Sequence, residues 1–561
     1  MTTSRTKSAS IEHAGIPTQQ TGAHEWWRDA VIYQIYPRSF ADSDGDGLGD
    51  LNGIRAHLSH IVRLGVDAIW LSPFYPSPQA DAGYDVADYQ DVDPKFGTLA
   101  DFDALLEQTH AAGLRLIIDL VPNHTSSEHP WFKAALAAAP GSPQRNRYLF
   151  RDGRGAQGEL PPNNWQSTFG GPAWTRIDDG TDRPQWYLHL FDTRQPDLNW
   201  ENPEVVEAFR EVLRFWLGRG VDGFRVDVAH GLMKQDGLPD NPPEYVEDST
   251  RPRGPMWDQP SVHGIYRDWH KVLQEFGDER ILVAEAWVSD AERRAHYVRR
   301  DEMQQAFNFG FLVAGWDADA MRAQIDEARA ANGAVGATTT WVLSNHDVVR
   351  HATRLAAPSP RAWAHGLGPE DVAPDPVLGL SRARAATLFM LALPGGAYLY
   401  QGEELGLPEY IELPAAARQD PTFFRTGGAR LGRDGCRVPL PWDSTLPGLG
   451  FGPGPHTWLP QPESFAELAV NRQTGVPDST LEFYRQALHL RRERHLGAGE
   501  LAWNTSAPGV LDFTNGVTRA VINASTRPVA LPGARLLIAS DPDALTEGAL
   551  LPDKAVWLGV G

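Results

Sequence analysis

The sequence predicts an α/β protein: a (β/α)8 TIM barrel with an inserted subdomain after strand 3 and a small C-terminal β-sandwich. Three observations predict it. Short apolar, β-branched runs recur eight times with helical patterns between them. About a hundred irregular residues separate the third run from the fourth, and after Glu500 only short β-type runs remain. Buried parallel strands alternating with helices specify an α/β fold, and eight of them suit a closed barrel better than an open sheet.

In chain order the expected strands are Val31–Ser39, Ala68–Pro73, Arg115–Leu120, Gly223–Val228, Ile281–Trp287, Ala306–Phe309, Trp341–His346 and Ala397–Gln401. Helices are expected between them, at Leu99–Ala112 and Pro203–Arg219 for example. Leu58, Ile61, Val62 and Leu64 recur near helical spacing before the second strand. The third-to-fourth gap is rich in Gly, Pro, Asn and Trp, which marks an irregular subdomain on the barrel's loop face. A second excursion runs from Ile411 to about Val476. The β-type runs of the terminal module are Val510–Phe513, Thr518–Ile522, Val529–Leu531 and Arg535–Ile538. The expected division is 1–22 disordered tail, 23–122 and 200–498 barrel, 123–199 inserted subdomain and 499–561 C-terminal β domain.

Composition excludes several classes. The 561 residues hold 51 Lys and Arg against 72 Asp and Glu, a formal charge of −21. A nucleic-acid or anionic-membrane binder needs a basic footprint, so neither partner is expected. The single cysteine, Cys436, excludes an intramolecular disulfide and a Cys-cluster metal site. The first twenty residues are polar and lack the apolar core of a signal peptide. The longest apolar stretch, Ala385–Tyr400, is broken by Pro394, Gly395 and Gly396 and is too short to span a membrane. A soluble, cytoplasmic protein is expected, as a monomer or a homo-oligomer.

The chemistry lies at the strand ends. In such a barrel the C-terminal ends of the strands point into one shared site. Here Asp119 closes the third strand, Asp227 the fourth and Glu285 the fifth, and Asp347 follows the seventh. Each sits in an apolar run, where an unpaired carboxylate is costly. Arg225 stands two residues before Asp227, on the same side of the strand. His124 and His346 add neutral donors. A strand-end ion pair explains one such acid readily, but several acids around Arg225 point to a site. Glycoside hydrolysis needs a pair of carboxylates, one to attack the anomeric carbon and one to protonate the leaving oxygen. No G-x-S-x-G elbow, Walker loop or dinucleotide fingerprint competes.

These motifs resemble the α-amylase family of glycoside hydrolases, in its α-glucosidase and oligo-1,6-glucosidase branch. They occur in the family's order: Asp119–His124 (DLVPNH), Gly223–Val228 (GFRVDV), Glu285 in AEAW and Asn345–Asp347 (NHD). A fifth, Gln195–Asn199 (QPDLN), is similar to that branch rather than to starch-degrading amylases. The resemblance implies Asp227 as nucleophile, Glu285 as general acid then base, and Asp347 as the residue gripping the sugar hydroxyls. It implies that Arg225 holds Asp227 ionised and that Asp85, His124, His346 and Arg437 bind the terminal glucose. Tyr84, Phe169 and Phe191 are candidate aromatic walls or simply packing. Cys436 neighbours Arg437, so a thiol reagent is expected to crowd the pocket.

Residues 42–50 read DSDGDGLGD. Asp42, Asp44, Asp46, the Leu48 carbonyl and Asp50 follow the opening of an EF-hand loop, but Gly53 stands where the bidentate Glu would be. Similar loops in α-glucosidases bind one Ca²⁺ or Mg²⁺. A structural Ca²⁺, with Mg²⁺ as the alternative ion, is expected here, and no organic cofactor.

The resemblance implies a retaining exo-α-glucosidase that releases glucose from short, neutral α-glucosides through a covalent glucosyl-enzyme, with transglucosylation. Val228 is similar to enzymes accepting α-1,6 bonds, whereas Ala229–His230 looks like maltose-type α-glucosidases, so linkage stays open. His230 faces an acceptor sugar or caps the strand. An α-glucosyltransferase or a sucrose isomerase is the enzymatic alternative, although Val348–Arg354 lacks the isomerases' arginine-rich loop. A non-catalytic sugar-binding relative is the alternative from another class.

Overall fold

The structure is a computed structural model that describes residues 25–178, 184–243, 254–358 and 366–560. The tail expected at 1–22 lies outside the described residues. Eight parallel strands form one sheet: β1 Val31–Ile35, β2 Ala68–Leu71, β3 Arg115–Leu120, β4 Gly223–Val226, β5 Ile281–Ala284, β6 Gln305–Ala306, β7 Thr340–Val342 and β8 Gly396–Tyr400. The order is β7-β8-β1-β2-β3-β4-β5-β6. A parallel bridge from Phe307, just past β6, to Thr340 in β7 joins the two ends into a barrel.

Side chains alternate across the barrel wall. Ile32, Trp70, Ile117, Val283, Val342 and Tyr398 fill the interior. Val31, Tyr33, Ile35, Ile69 and Leu71 pack outward against the helices. The helix Leu51–Leu64 follows its sequence closely. The Asp50 side chain accepts from Gly53 N at its start, and Gly65, at φ 93°, ends it. Leu51, Ile54, Leu58, Ile61 and Leu64 are buried, but Val62 is 42% exposed, so that member of the expected apolar set faces solvent. The helix Pro203–Arg219 starts on Asn202 with Pro203 in its first turn and stops at Gly220, φ 107°.

Strand six is shorter than expected. After Ala306, Asn308 donates its backbone N–H to Thr340 O and caps the helix Phe309–Val313 by accepting from Phe311 N. Phe309 is therefore helical rather than extended. The segment between β3 and β4 carries a small antiparallel sheet, Phe150–Asp152, Gln185–Leu188 and Trp174–Arg176. The excursion after β8 folds back over the Asp-rich loop, where Trp458 N donates to Gly47 O and Asp42 N donates to Phe451 O. The C-terminal part holds a five-stranded and a three-stranded antiparallel sheet with Val510, Val521, Leu550, Val556 and Leu558 packed together in one apolar cluster. Its five-stranded sheet docks on the helix Pro376–Leu391, with Trp557 Nε1 donating to Leu388 O. Among the described residues no helix is long and apolar enough to cross a membrane.

Candidate active site

The strand ends converge on Arg225. It is 1% exposed, and its Nη1 donates to Asp119 Oδ1 at 2.7 Å and to Asp227 Oδ1 at 2.6 Å. Its Nη2 lies 3.6 Å from Glu285 Oε2. One guanidinium therefore holds three carboxylates from β3, β4 and β5. Trp70 Nε1 and the Tyr84 hydroxyl both donate to Asp119 Oδ2, which fixes that acid as the anchor of Arg225. The chain leaves β4 abruptly. Val228 takes φ 45°, a left-handed conformation that a β-branched residue rarely adopts. This turns its backbone N–H onto Glu285 Oε2 at 2.7 Å.

The two acids differ from the third in their electrostatics. Burial raises Asp227 to about 7, against the pull of Arg225. Burial raises Glu285 to about 8, again opposed by Arg225 and reinforced by the Asp227 charge. Asp347 is less buried, its side chain 26% exposed, and His346, Arg433 and Arg437 hold it well below the usual carboxylate range. A carboxyl that keeps its proton near neutrality stands beside one that never takes one, a division of labour suited to acid catalysis.

The cavity wall includes Tyr84, His124, Phe169, Phe191, Asp227, Val228, Glu285 and Asp347. His230 is also in the wall, stacked on Trp257 with centroids 4.9 Å apart. Burial keeps His124 neutral, lowering it to about 4. Two segments remote in sequence meet beside the cavity: Arg430 donates to Thr168 O, both of them in its wall, and Arg425 donates to Gly170 O.

Several expected residues stand elsewhere. Asp85 is fully buried away from the wall, where its carboxylate accepts from Ser77 Oγ, Ala80 N and Asp81 N. Asp81, four residues earlier, lines the cavity instead. Arg437 does not reach the cavity: it donates to His346 O and to Asp347 Oδ1 from behind. Arg433 lines the wall, with Nη1 on Asp347 Oδ1 at 3.0 Å, Nη2 on Asp81 Oδ1 at 2.7 Å and Nε on Asp420 Oδ2 at 2.6 Å. One turn of 3-10 helix, Asp434–Cys436, separates the two arginines. His346 lies beneath Asp347 rather than in the wall. Cys436 is completely buried, and burial pushes its thiol well up, so the expected crowding by a thiol reagent does not fit. Gln195 of QPDLN donates to Asp81 Oδ2 at 3.1 Å and so supports the wall from outside.

In the Asp-rich loop the carboxylates of Asp42, Asp44 and Asp50 lie within 4.8 Å of one another. Asp46 is not in that group; its carboxylate accepts from Leu48 N at 2.7 Å. Three converging hard oxygen donors suit Ca²⁺ or Mg²⁺.

Residues 34–499 match the model of the alpha-amylase catalytic domain. The chain belongs to the alpha-amylase family. Within that family it is 41% identical over 509 residues to a protein of Rhizobium meliloti (strain 1021) named "Probable alpha-glucosidase", covering 87% of each chain. It is 34% identical to an oligo-1,6-glucosidase of Parageobacillus thermoglucosidasius, covering 84% of each. Among solved structures it superposes on an alpha-glucosyl transfer enzyme, XgtA, with a TM-score of 0.83 and 36% identity, over 96% of this chain and 99% of that one. The protein is a glycoside hydrolase of the alpha-amylase family.

Proposed function

We propose that this protein is a retaining, exo-acting α-glucosidase that releases glucose from the non-reducing end of short α-glucosides. The observation that carries the reading is the shared Arg225 guanidinium, with Asp227 and Glu285 on it at 2.6 and 3.6 Å. Two carboxylates on one guanidinium, one ionised and one protonated, suit double displacement. Asp227 attacks the anomeric carbon while Glu285 gives its proton to the leaving oxygen. A glucosyl ester on Asp227 results. Glu285, now ionised, takes a proton from water, which displaces Asp227 and restores both groups. Asp347, always charged, binds hydroxyls of the glucose and stabilises positive charge developing on the ring. At one side of the cavity Arg433 joins Asp81 to Asp347 over Phe169, which favours a pocket for one terminal sugar. His124 lines it as a neutral imidazole.

The same glucosyl ester can pass to a sugar instead of water. The likeness to an alpha-glucosyl transfer enzyme and the His230–Trp257 pair beside Val228 favour some transfer. A divalent cation, Ca²⁺ first, would sit on Asp42, Asp44 and Asp50 and tie the first loop to the excursion after β8. It would be structural, because side chains supply every proton and the nucleophile.

The test is a product time course on maltose, isomaltose, nigerose, kojibiose, sucrose and trehalose, with the anomer of the released glucose read by NMR. Initial release of α-glucose with transient transfer products supports the proposal. Initial β-glucose, or no cleavage of any of them or of an aryl α-glucoside, overturns it.

A further inference from the structure

Gln34 lies inside the barrel on β1, 1% exposed, and the reaction proposed above does not use it. Its Nε2 stands 2.7 Å from His346 Nδ1 and donates to Ser72 Oγ at 3.0 Å. An amide nitrogen only donates, so Nδ1 must offer it a lone pair. Across the ring, His346 Nε2 faces Asp347 Oδ2 at 3.2 Å. That contact lacks hydrogen-bond geometry, but a lone pair on Nε2 would be repelled by the carboxylate where an N–H is attracted, so the ring proton belongs on Nε2. Both neighbours demand the same tautomer. Turning the amide over would set its oxygen against Nδ1 and call for a proton there. The ring would then present a lone pair to Asp347 or take a second proton. A second proton is opposed by burial and by Arg437, Arg225 and Arg433, with only Asp347 favouring it. Tyr84 lies parallel to the imidazole at 5.1 Å and Tyr36 near-parallel at 5.5 Å, which restrains the ring.

We infer that Gln34 is a positioning residue: it holds His346 in the Nε2–H tautomer and so turns an N–H rather than a lone pair toward Asp347. The effect on turnover rests on the glycosidase reading; the tautomer does not. The full chain labelled with ¹⁵N-histidine, with His346 assigned through His346→Gln, reports the proton directly by NMR. The expected wild-type spectrum shows a bare Nδ1 and a protonated Nε2 at neutral pH. Protonated Nδ1 overturns the inference and needs no variant to fold. Gln34→Glu keeps the shape and places an acceptor opposite Nδ1, so His346 should gain a proton there. With a lone pair turned toward Asp347 in place of the N–H, kcat/KM on an aryl α-glucoside should fall about tenfold or more. An unchanged tautomer in the folded variant, or kcat/KM within twofold of wild type, overturns the positioning role. If the wild type cleaves no α-glucoside, the proposed function fails while the spectrum still decides the tautomer.

Discussion

Replacing Glu285 by glutamine should stabilise the fold, and the gain should grow with pH. Glu285 is 7% exposed, and burial lifts it from 4.5 to about 8. Its folded value thus lies above its unfolded one, so the native state holds the proton more tightly. Stability from this group is fully present below about 4.5 and is lost as pH rises towards 8. At about 1.4 kcal/mol per unit the full span corresponds to roughly 5 kcal/mol, an upper bound because the raise is shared with Asp227. Glutamine fills the same space, stays neutral, and its carbonyl still accepts from Val228 N. For 561 residues the unfolding entropy is about 1.2 kcal/mol/K, so the melting temperature should rise by up to about 4 °C. Titrating groups that do not interact with Glu285 are common to both proteins and cancel in the difference, whereas Asp227 ionises more readily beside a neutral glutamine and adds to it. The assay is the melting temperature of both proteins from pH 5 to pH 9. A difference that stays flat, or a variant that melts lower at high pH, refutes the reasoning.

Asp227→Asn should lower kcat on an aryl α-glucoside by about three orders of magnitude or more while the circular dichroism spectrum is kept, since the nucleophile is lost and the shape is not. The pH profile of kcat/KM should be bell-shaped. Activity falls as pH drops through about 7, where Asp227 takes a proton, and as it rises through about 8, where Glu285 loses one; a flat profile across pH 6–9 would contradict this. Arg433→Met should cut kcat/KM about a hundredfold or more by leaving Asp81, Asp347 and Asp420 without their shared cation. Chelation should lower the melting temperature by about 2 °C if the Asp42 loop holds its ion at about a hundred times its dissociation constant, with Ca²⁺ restoring it. Cys436 in the folded protein should resist an aromatic disulfide reagent for hours and react at once in denaturant.

The strands were legible because each is a short apolar run, and four of the eight carry an acid at or just past the end, a signal that survives without any tertiary information. β3 and the helix Pro203–Arg219 stand where the pattern puts them. The site residues that sequence reasoning misplaced lie in turns and loops rather than in strands or long helices. DAGYD offers two acids and GRDGCR two arginines, and no period says which of each pair faces the cavity. The choice is made by hydrogen bonds: Ala80 N and Asp81 N capture Asp85, which leaves Asp81 free to meet Arg433. The same holds for Asp46, drawn away by Leu48 N while Asp42 and Asp44 converge on Asp50. β6 was overextended because Phe307 and Phe309 favour a strand locally, and only the cap at Asn308 turns the chain.

The left-handed backbone at Val228 places a double constraint on that position. Its side chain borders the cavity, so any substitution alters what the pocket admits. Its N–H meanwhile tethers Glu285, so the same substitution also shifts how firmly the proton donor is aimed. Substrate preference and catalytic vigour are thus linked through a single peptide unit. A lineage drifting toward new glycosidic linkages at this residue would change its turnover in the same step, and compensating changes would be sought around Glu285 rather than in the pocket.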